Sequence, residues 1–143
     1  MSASTKLSNA VKALCFLASH SLKPQSSRAI SEQTGINASK LRKLLAELAR
    51  IDVVVATKGK SGGYLLGRPP ERIHLQEIYC AIEDRKAFHL DVTQGEQADL
   101  PHGAAVNVYF LKLFSDIQVE IEEKMRDITL ADVLESLAPA KSV

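Results

Sequence analysis

The sequence predicts a mainly α fold with one small β-hairpin: a winged helix-turn-helix followed by a long helix suited to dimerisation. Three observations carry that expectation. Two helical stretches stand in tandem across a glycine turn between Ser27 and Arg50. Two β-rich runs then flank Lys58-Gly59-Lys60-Ser61-Gly62-Gly63, a loop no helix would tolerate. Further on, residues 104–127 repeat apolar side chains at helical spacing without a break.

The elements follow in order. Leu7–Ser19 reads as a helix, with Val11, Leu14, Cys15 and Ala18 on one apolar face and Phe16 and Leu17 widening it. Residues 21–25, with Pro24, form a loop. Ser27–Thr34 is a short helix that buries Ala29 and Ile30, capped by Ser26 or Ser27. Gly35 suits the left-handed position that ends a helix. Asn37 is a good N-cap for the next one. In that next helix Leu41, Leu44, Leu45 and Leu48 recur at i, i+3, i+4, i+7, Ile51 continues the stripe, and Lys40, Arg42, Lys43 and Arg50 lie off it.

Val53–Thr57 and Tyr64–Leu66 are the strands of a hairpin with two lysines and a serine at its tip. Arg68-Pro69-Pro70 ends the second strand, because proline continues neither a ladder nor a helix interior. Ile73–Glu83 is a helix with Leu75, Ile78 and Ile82 inward and Cys80 off the stripe. Residues 84–103, rich in acidic residues and containing Gly95, Pro101 and Gly103, form a long loop, and such loops tend to be functional. Ala104–Asp127 is the long helix, with Val106, Phe110, Leu113, Phe114, Ile117, Ile121 and Met125 in register; at 1.5 Å per residue it runs about 36 Å. Thr129–Leu137 closes the chain, with Thr129 as cap and Asp132 in the first turn. The expected division is a DNA-binding unit over 1–83, a linker over 84–103, and a dimerisation helix with a short C-terminal helix over 104–143.

Composition narrows the function. The 143 residues are 45% hydrophobic and 24% charged, ordinary for a globular protein. No apolar run reaches the roughly 18 residues that span a bilayer, and the first residues lack a signal-peptide pattern, so a cytoplasmic location without membrane contact is the expectation. The net charge of +1 conceals two unlike halves. Residues 1–72 carry 12 Lys/Arg against 4 Asp/Glu, and residues 73–143 carry 6 against 13. A front half at +8 and a back half at −7 suit a chain of which one half meets a polyanion.

The basic helix and the basic hairpin tip join in that reading. In helix-turn-helix proteins the second helix presents its N-terminal residues to base edges in the major groove. Ser39, Lys40, Arg42 and Lys43 hold that place here, behind the Asn37 cap. Arg42 or Lys43 paired with guanine is worth about 1–3 kcal/mol of discrimination, and the spacing does not choose between them. Ser26, Ser27 and Arg28 would grip phosphate, as would Lys58, Lys60 and Ser61 from the wing, where glycines let the backbone approach closely.

Rival readings fare worse. The Gly59-Lys60-Ser61 triplet resembles part of a phosphate-binding loop, but that motif needs a glycine where Val54 stands, and a helix after the loop rather than a strand. Four scattered histidines, with no Gly-x-Ser-x-Gly or His-Glu-x-x-His, give no start for catalysis. A winged helix used for protein contact instead of DNA would predict an uncharged reading helix and wing tip.

Gly35-Ile36, then Leu41, Leu44 and Leu48, then GKSGGYLLGR at 59–68 resemble the Rrf2 family of bacterial winged helix-turn-helix transcription regulators. The resemblance extends over nearly the whole chain, and GGYLLG is its most specific part. It implies a homodimer joined through the long helix, which would also cover that helix's apolar stripe; the dimer axis then calls for an imperfectly palindromic operator on double-stranded DNA, and a small dimer without an activation surface is expected to repress by blocking access. In iron–sulfur members it also implies three closely spaced cysteines in the loop before the long helix. This chain has Val92, Gln94, Leu100 and Val108 in that neighbourhood and no cysteine. Cluster ligation needs thiolates, so no cofactor is expected. His89, Asp91, Glu96, Asp99 and His102 have no spacing that points to a metal. The signal is then either oxidation of Cys15 or Cys80, or a small molecule held between the DNA-binding half and the long helix. A third option is no sensor in the protein itself.

Overall fold

A computed structural model describes residues 5–83 and 103–138. The order is α1 (Thr5–Ser19), α2 (Ser27–Thr34), α3 (Ala38–Arg50), β1 (Val54–Thr57), β2 (Gly63–Leu66), a 3₁₀ turn (Pro70–Arg72), α4 (Leu75–Ile82), α5 (Gly103–Arg126) and α6 (Leu130–Leu137). This is the mainly helical, winged arrangement that the sequence predicts. Of the loop expected over 84–103, residues 84–102, with His89, Asp91, Glu96, Asp99 and His102, lie outside the described residues, and Gly103 already opens α5.

The core is built by α1, α2, α3 and α4 around Leu14, Leu17, Ile30, Leu41, Leu45, Leu48, Ile78 and Ile82, all essentially without solvent exposure. Val53 and Ile73 close it from the segments beside the wing. The face of α1 differs from expectation. Ala10, Ala13, Leu14 and Leu17 point inward, and Val11, Cys15 and Ala18 are only half-buried. Residues 13–18 are all apolar, which leaves the period ambiguous there. The two alanines decide it, because they let the neighbouring helices close in on α1.

The hairpin pairs antiparallel, Val54 with Leu66 through Thr57 with Gly63. The sequence reading misses a third segment, which bridges to the other edge of β2. The Gln25 amide donates to the Tyr64 carbonyl at 3.0 Å, and the Tyr64 amide donates back at 2.8 Å. The wing is therefore tied to the residue just before the α2 cap. Gly63 must be glycine for this reason: a Cβ there would be driven into the Gln25 carbonyl.

The helix over 73–83 is shorter than expected. Ile73 is extended and buried, and α4 begins at Leu75. The long helix packs unevenly. Its second half lies on α4, where Gln118, 2% exposed, donates from Nε2 to the Tyr79 hydroxyl at 3.1 Å. Its first half leaves Val106, Val108, Tyr109, Phe110, Leu111 and Leu113 exposed by 37–65%. The chain then returns: Leu130 is fully buried in the front core, its amide donates to the Ile73 carbonyl at 2.7 Å, and α6 packs on α1 and the 3₁₀ turn. The sequence division at residue 104 thus follows chain order, while in space α6 belongs with the front half.

Candidate nucleic-acid interface

The turn between the two motif helices is held by local hydrogen bonds. Ser26 Oγ accepts from the Ala29 amide at 3.1 Å and caps α2. Gly35 ends α2 at φ 76°, a left-handed conformation that costs glycine little. Ser31 Oγ donates to the Ile36 carbonyl at 2.6 Å, across the turn. Asn37 Oδ1 then accepts from the Ser39 and Lys40 amides at 3.0 and 3.3 Å and from Ser39 Oγ at 2.7 Å. The Asn37 oxygen is thereby engaged in starting α3 straight and at a set angle.

α3 buries Leu41, Leu44, Leu45 and Leu48 and exposes Ser39, Lys40, Arg42, Lys43, Ala46 and Arg50. At about 100° per residue, the ridge opposite the leucine stripe is Ser39, Lys43, Ala46 and Arg50, with Lys40 and Arg42 on its two flanks. Lys40, Arg42, Lys43, Lys58 and Lys60 take part in no ion pair among the described residues. Their charge is available to an incoming anion.

The wing tip closes toward the start of α2 and leaves a groove of about 650 Å³. Lys23, Pro24, Gln25, Ser26 and Ala29 form one wall, and Thr57, Lys58, Lys60, Ser61 and Gly62 the other. Its loop is fixed by the Gly62 amide on the Gly59 carbonyl at 3.0 Å and the Gly63 amide on Thr57 Oγ1 at 3.0 Å. A Cβ on Gly62 would stand 2.5 Å from the Thr57 carbonyl oxygen. The groove brings together Ser26, Lys58, Lys60 and Ser61 from the sequence-predicted set and adds Lys23, which sequence reasoning missed. Lys23 lies in a loop with no periodicity to flag it. Three lysines and a helix N-terminus make a natural seat for phosphate. Ser27 and Arg28 sit in the first turn of α2, outside the groove lining. Arg28 Nε pairs with Glu32 at 3.0 Å, both highly exposed, a contact worth under about 1 kcal/mol and easily exchanged for phosphate.

The two thiols have different surroundings. Cys15 lies half-buried in the wall of a mainly apolar hollow of about 710 Å³ between α1, the end of α2, the start of α4 and α6. Burial pushes its thiol above the ordinary range. Cys80 is exposed on α4, and its Sγ faces Glu122 Oε1 at 3.6 Å. Burial and then the Glu122 carboxylate push it up, against a smaller pull from Arg126. A reactive thiol needs the opposite shift. Neither thiol carries the shift that would activate it toward an oxidant.

An iron–sulfur cluster does not fit this donor set. The chain has two cysteines, one on α1 and one on α4. Among the described residues no three His, Cys, Asp or Glu side chains group to hold a metal. Among those residues, too, no helix is long and apolar enough to cross a membrane.

Comparison with known proteins gives one answer throughout. Residues 3–136 match the profile of the Rrf2 family, described as an iron-dependent transcriptional regulator. An HTH-type transcriptional regulator of Neisseria meningitidis serogroup A is 35% identical over 108 residues, which cover 75% of this chain and 69% of that protein. The HTH-type transcriptional regulator IscR of Sodalis glossinidius is 32% identical over 126 residues, 87% of this chain and 73% of that one. Among solved structures, T. potens IscR superposes with a TM-score of 0.71 at 28% identity, over 100% of this chain and 93% of that one. A transcriptional regulator from Lactobacillus plantarum superposes at 0.80 and 21% identity over 94% and 91%, which attests the fold alone. The family and these relatives are transcriptional regulators, not enzymes.

Proposed function

The chain belongs to the Rrf2 family of transcriptional regulators, and from that premise we propose that it is a cluster-free homodimeric repressor that reads a palindromic operator. The observation that carries the proposal is the groove of three lysines where the wing tip meets the start of α2. There Lys23, Lys58 and Lys60 hold a phosphate, and Ser26, whose oxygen already accepts the α2 cap, donates its hydroxyl hydrogen to the same anion. With the backbone so gripped, α3 reads the major groove. Lys43 and Arg50 on its outward ridge face base edges, Ser39 and the small Ala46 permit close approach, and Lys40 and Arg42 take the flanking phosphates. Ser27, Arg28 and Ser61 add backbone contacts, and Asn37 acts by aiming α3.

The exposed apolar first half of α5 supports the homodimer. A patch of that size left in water is what soluble proteins avoid, and a two-fold axis covers it. Two reading helices one turn of DNA apart, about 34–36 Å, then demand an inverted repeat. A dimer laid across a promoter represses by occlusion. Its inducing signal is a small molecule rather than an oxidant, and the hollow over Cys15, which touches both α2 and α6, is where such a molecule acts on the reading helices.

Selection of bound duplexes from a random pool by the purified protein tests this. The expected winners are inverted repeats with centres about 10 base pairs apart, bound at least roughly 10³-fold more tightly than scrambled duplex at physiological salt. Winners without two-fold symmetry would overturn the palindromic reading, and binding indifferent to salt would return the fold to protein–protein contact.

A further inference from the structure

A chain of polar contacts runs from the end of the reading helix to the end of the long helix. Arg68, at the exit of the wing, donates to the Ile51 carbonyl at 3.4 Å, where α3 stops, and to the Arg72 carbonyl at 2.9 Å. The same guanidinium forms a two-pronged pair with Glu77 on α4, the longer prong at 3.2 Å. Glu77 Oε2 also accepts the His74 amide at 3.0 Å. The ring of His74 reaches across to the Arg126 carbonyl at the last turn of α5, Nδ1 to oxygen 3.0 Å. A carbonyl only accepts, so Nδ1 carries the proton in this contact whether or not Nε2 is also protonated. None of these three side chains lines the groove or the outward ridge of α3.

We propose that Arg68, Glu77 and His74 are positioning residues that fix the reading helix relative to the dimer helix and so set which operator spacing the protein accepts. The inference rests on the homodimer reading. If α5 joins the two copies, every degree of play between α3 and the end of α5 appears twice in the separation of the two reading helices. An operator with one extra central base pair moves one half-site by about 3.4 Å and turns it by about 34°. A stiff joint refuses that site, and a loose one follows it. Among the described residues α5 and α4 also meet through side chains, Gln118 with Tyr79 and Cys80 with Glu122, and the segment after α5 adds backbone bonds, Leu75 amide to Ile128 carbonyl at 2.9 Å and Leu130 amide to Ile73 carbonyl. The side-chain clasp continues past α4 to the end of α3, through Arg68 on the Ile51 carbonyl.

The test compares the full-length wild type with Glu77→Gln, His74→Ala, their double variant and His74→Asn on three duplexes: the selected operator, the same operator with one central base pair inserted, and a single half-site. The first two variants are expected to bind the half-site as the wild type does. They lose about five- to tenfold of the preference for the native spacing. The double variant loses no more than the worse single one, because both cut one path. Asn restores the preference, since its amide donates from the Nδ1 position. Unchanged spacing preference in the singles, effects that multiply in the double, parallel loss on the half-site, or failure of Asn to rescue each overturns the clasp. A wild type that sediments as a monomer, or that shows no spacing preference, instead removes the dimer reading beneath it.

Discussion

Two lysines of the front half have different tasks, and substitution separates them. Lys60 sits in the wing-tip groove, the proposed seat of a backbone phosphate, a group that every duplex offers. Lys43 stands at the centre of the exposed ridge of α3, opposite Leu41, Leu45 and Leu48. Lys60→Ala should therefore weaken binding to all sequences alike and flatten the salt dependence by about one unit per wing, two for the dimer. Lys43→Ala should cost about 1–3 kcal/mol on the selected operator, relax the choice at one base pair in each half-site, and leave scrambled duplex nearly untouched. Anisotropy titrations of both variants at several salt concentrations measure this. A uniform loss for Lys43→Ala would put it on phosphate and leave the base contacts to Arg50 or Arg42.

The joint between the wing and α4 has its own signature in pH. Burial alone would raise the Glu77 carboxyl, but the hydrogen bonds from Arg68 and the His74 amide outweigh it and hold it below the usual carboxylate value. A depressed carboxylate stabilises the fold at every pH above its unfolded value, near 4.3, and that contribution disappears as pH falls through the lower folded value. Glu77→Gln should thus cost about 1–2 kcal/mol at neutral pH, and the cost should close as pH falls below the ordinary carboxylate range. Thermal melts of the two proteins across that range measure it, and a gap that persists in acid would deny the ion pair. None of this joint is legible in the sequence, because Arg68 and Glu77 lie nine residues apart across a proline turn and no period links them. What is legible is whatever one element states alone. Gly35 and Asn37 mark the turn, four leucines mark the face of α3, and the glycines mark the wing. The Gln25 rung, the face of α1 and the buried Gln118 are set by packing between elements. An apolar stripe read along α5 could not foretell that its most buried side chain is an amide held by Tyr79.

Assembly joins the two unlike halves of the chain. The front half carries the positive balance, and the back half, with the negative one, repels the same duplex, so the field orients the approach. In the proposed homodimer, what the back half adds is duplication. Val106, Phe110 and Leu113 of the predicted dimer stripe are well exposed, as are Val108, Tyr109 and Leu111 beside it, while Phe114, Ile117, Ile121 and Met125 are half-covered. The free end of α5 thus has the greater need of a partner. Phe110, 40% exposed, has its ring against those of Tyr109 and Phe114 at 5.6 and 5.8 Å, both on α5 itself. Phe110→Asp places two carboxylates at the two-fold interface, one from each copy. The expected result is a folded monomer by sedimentation, with the wild-type affinity for a single half-site. Its affinity for the palindrome should fall by about 10²-fold or more, because the second half-site is no longer delivered by the first. A variant that remains dimeric would move the interface off this stretch of α5. A variant that is monomeric yet binds the palindrome as before would show that the two half-sites are read independently, and the operator spacing would then carry no information for this protein.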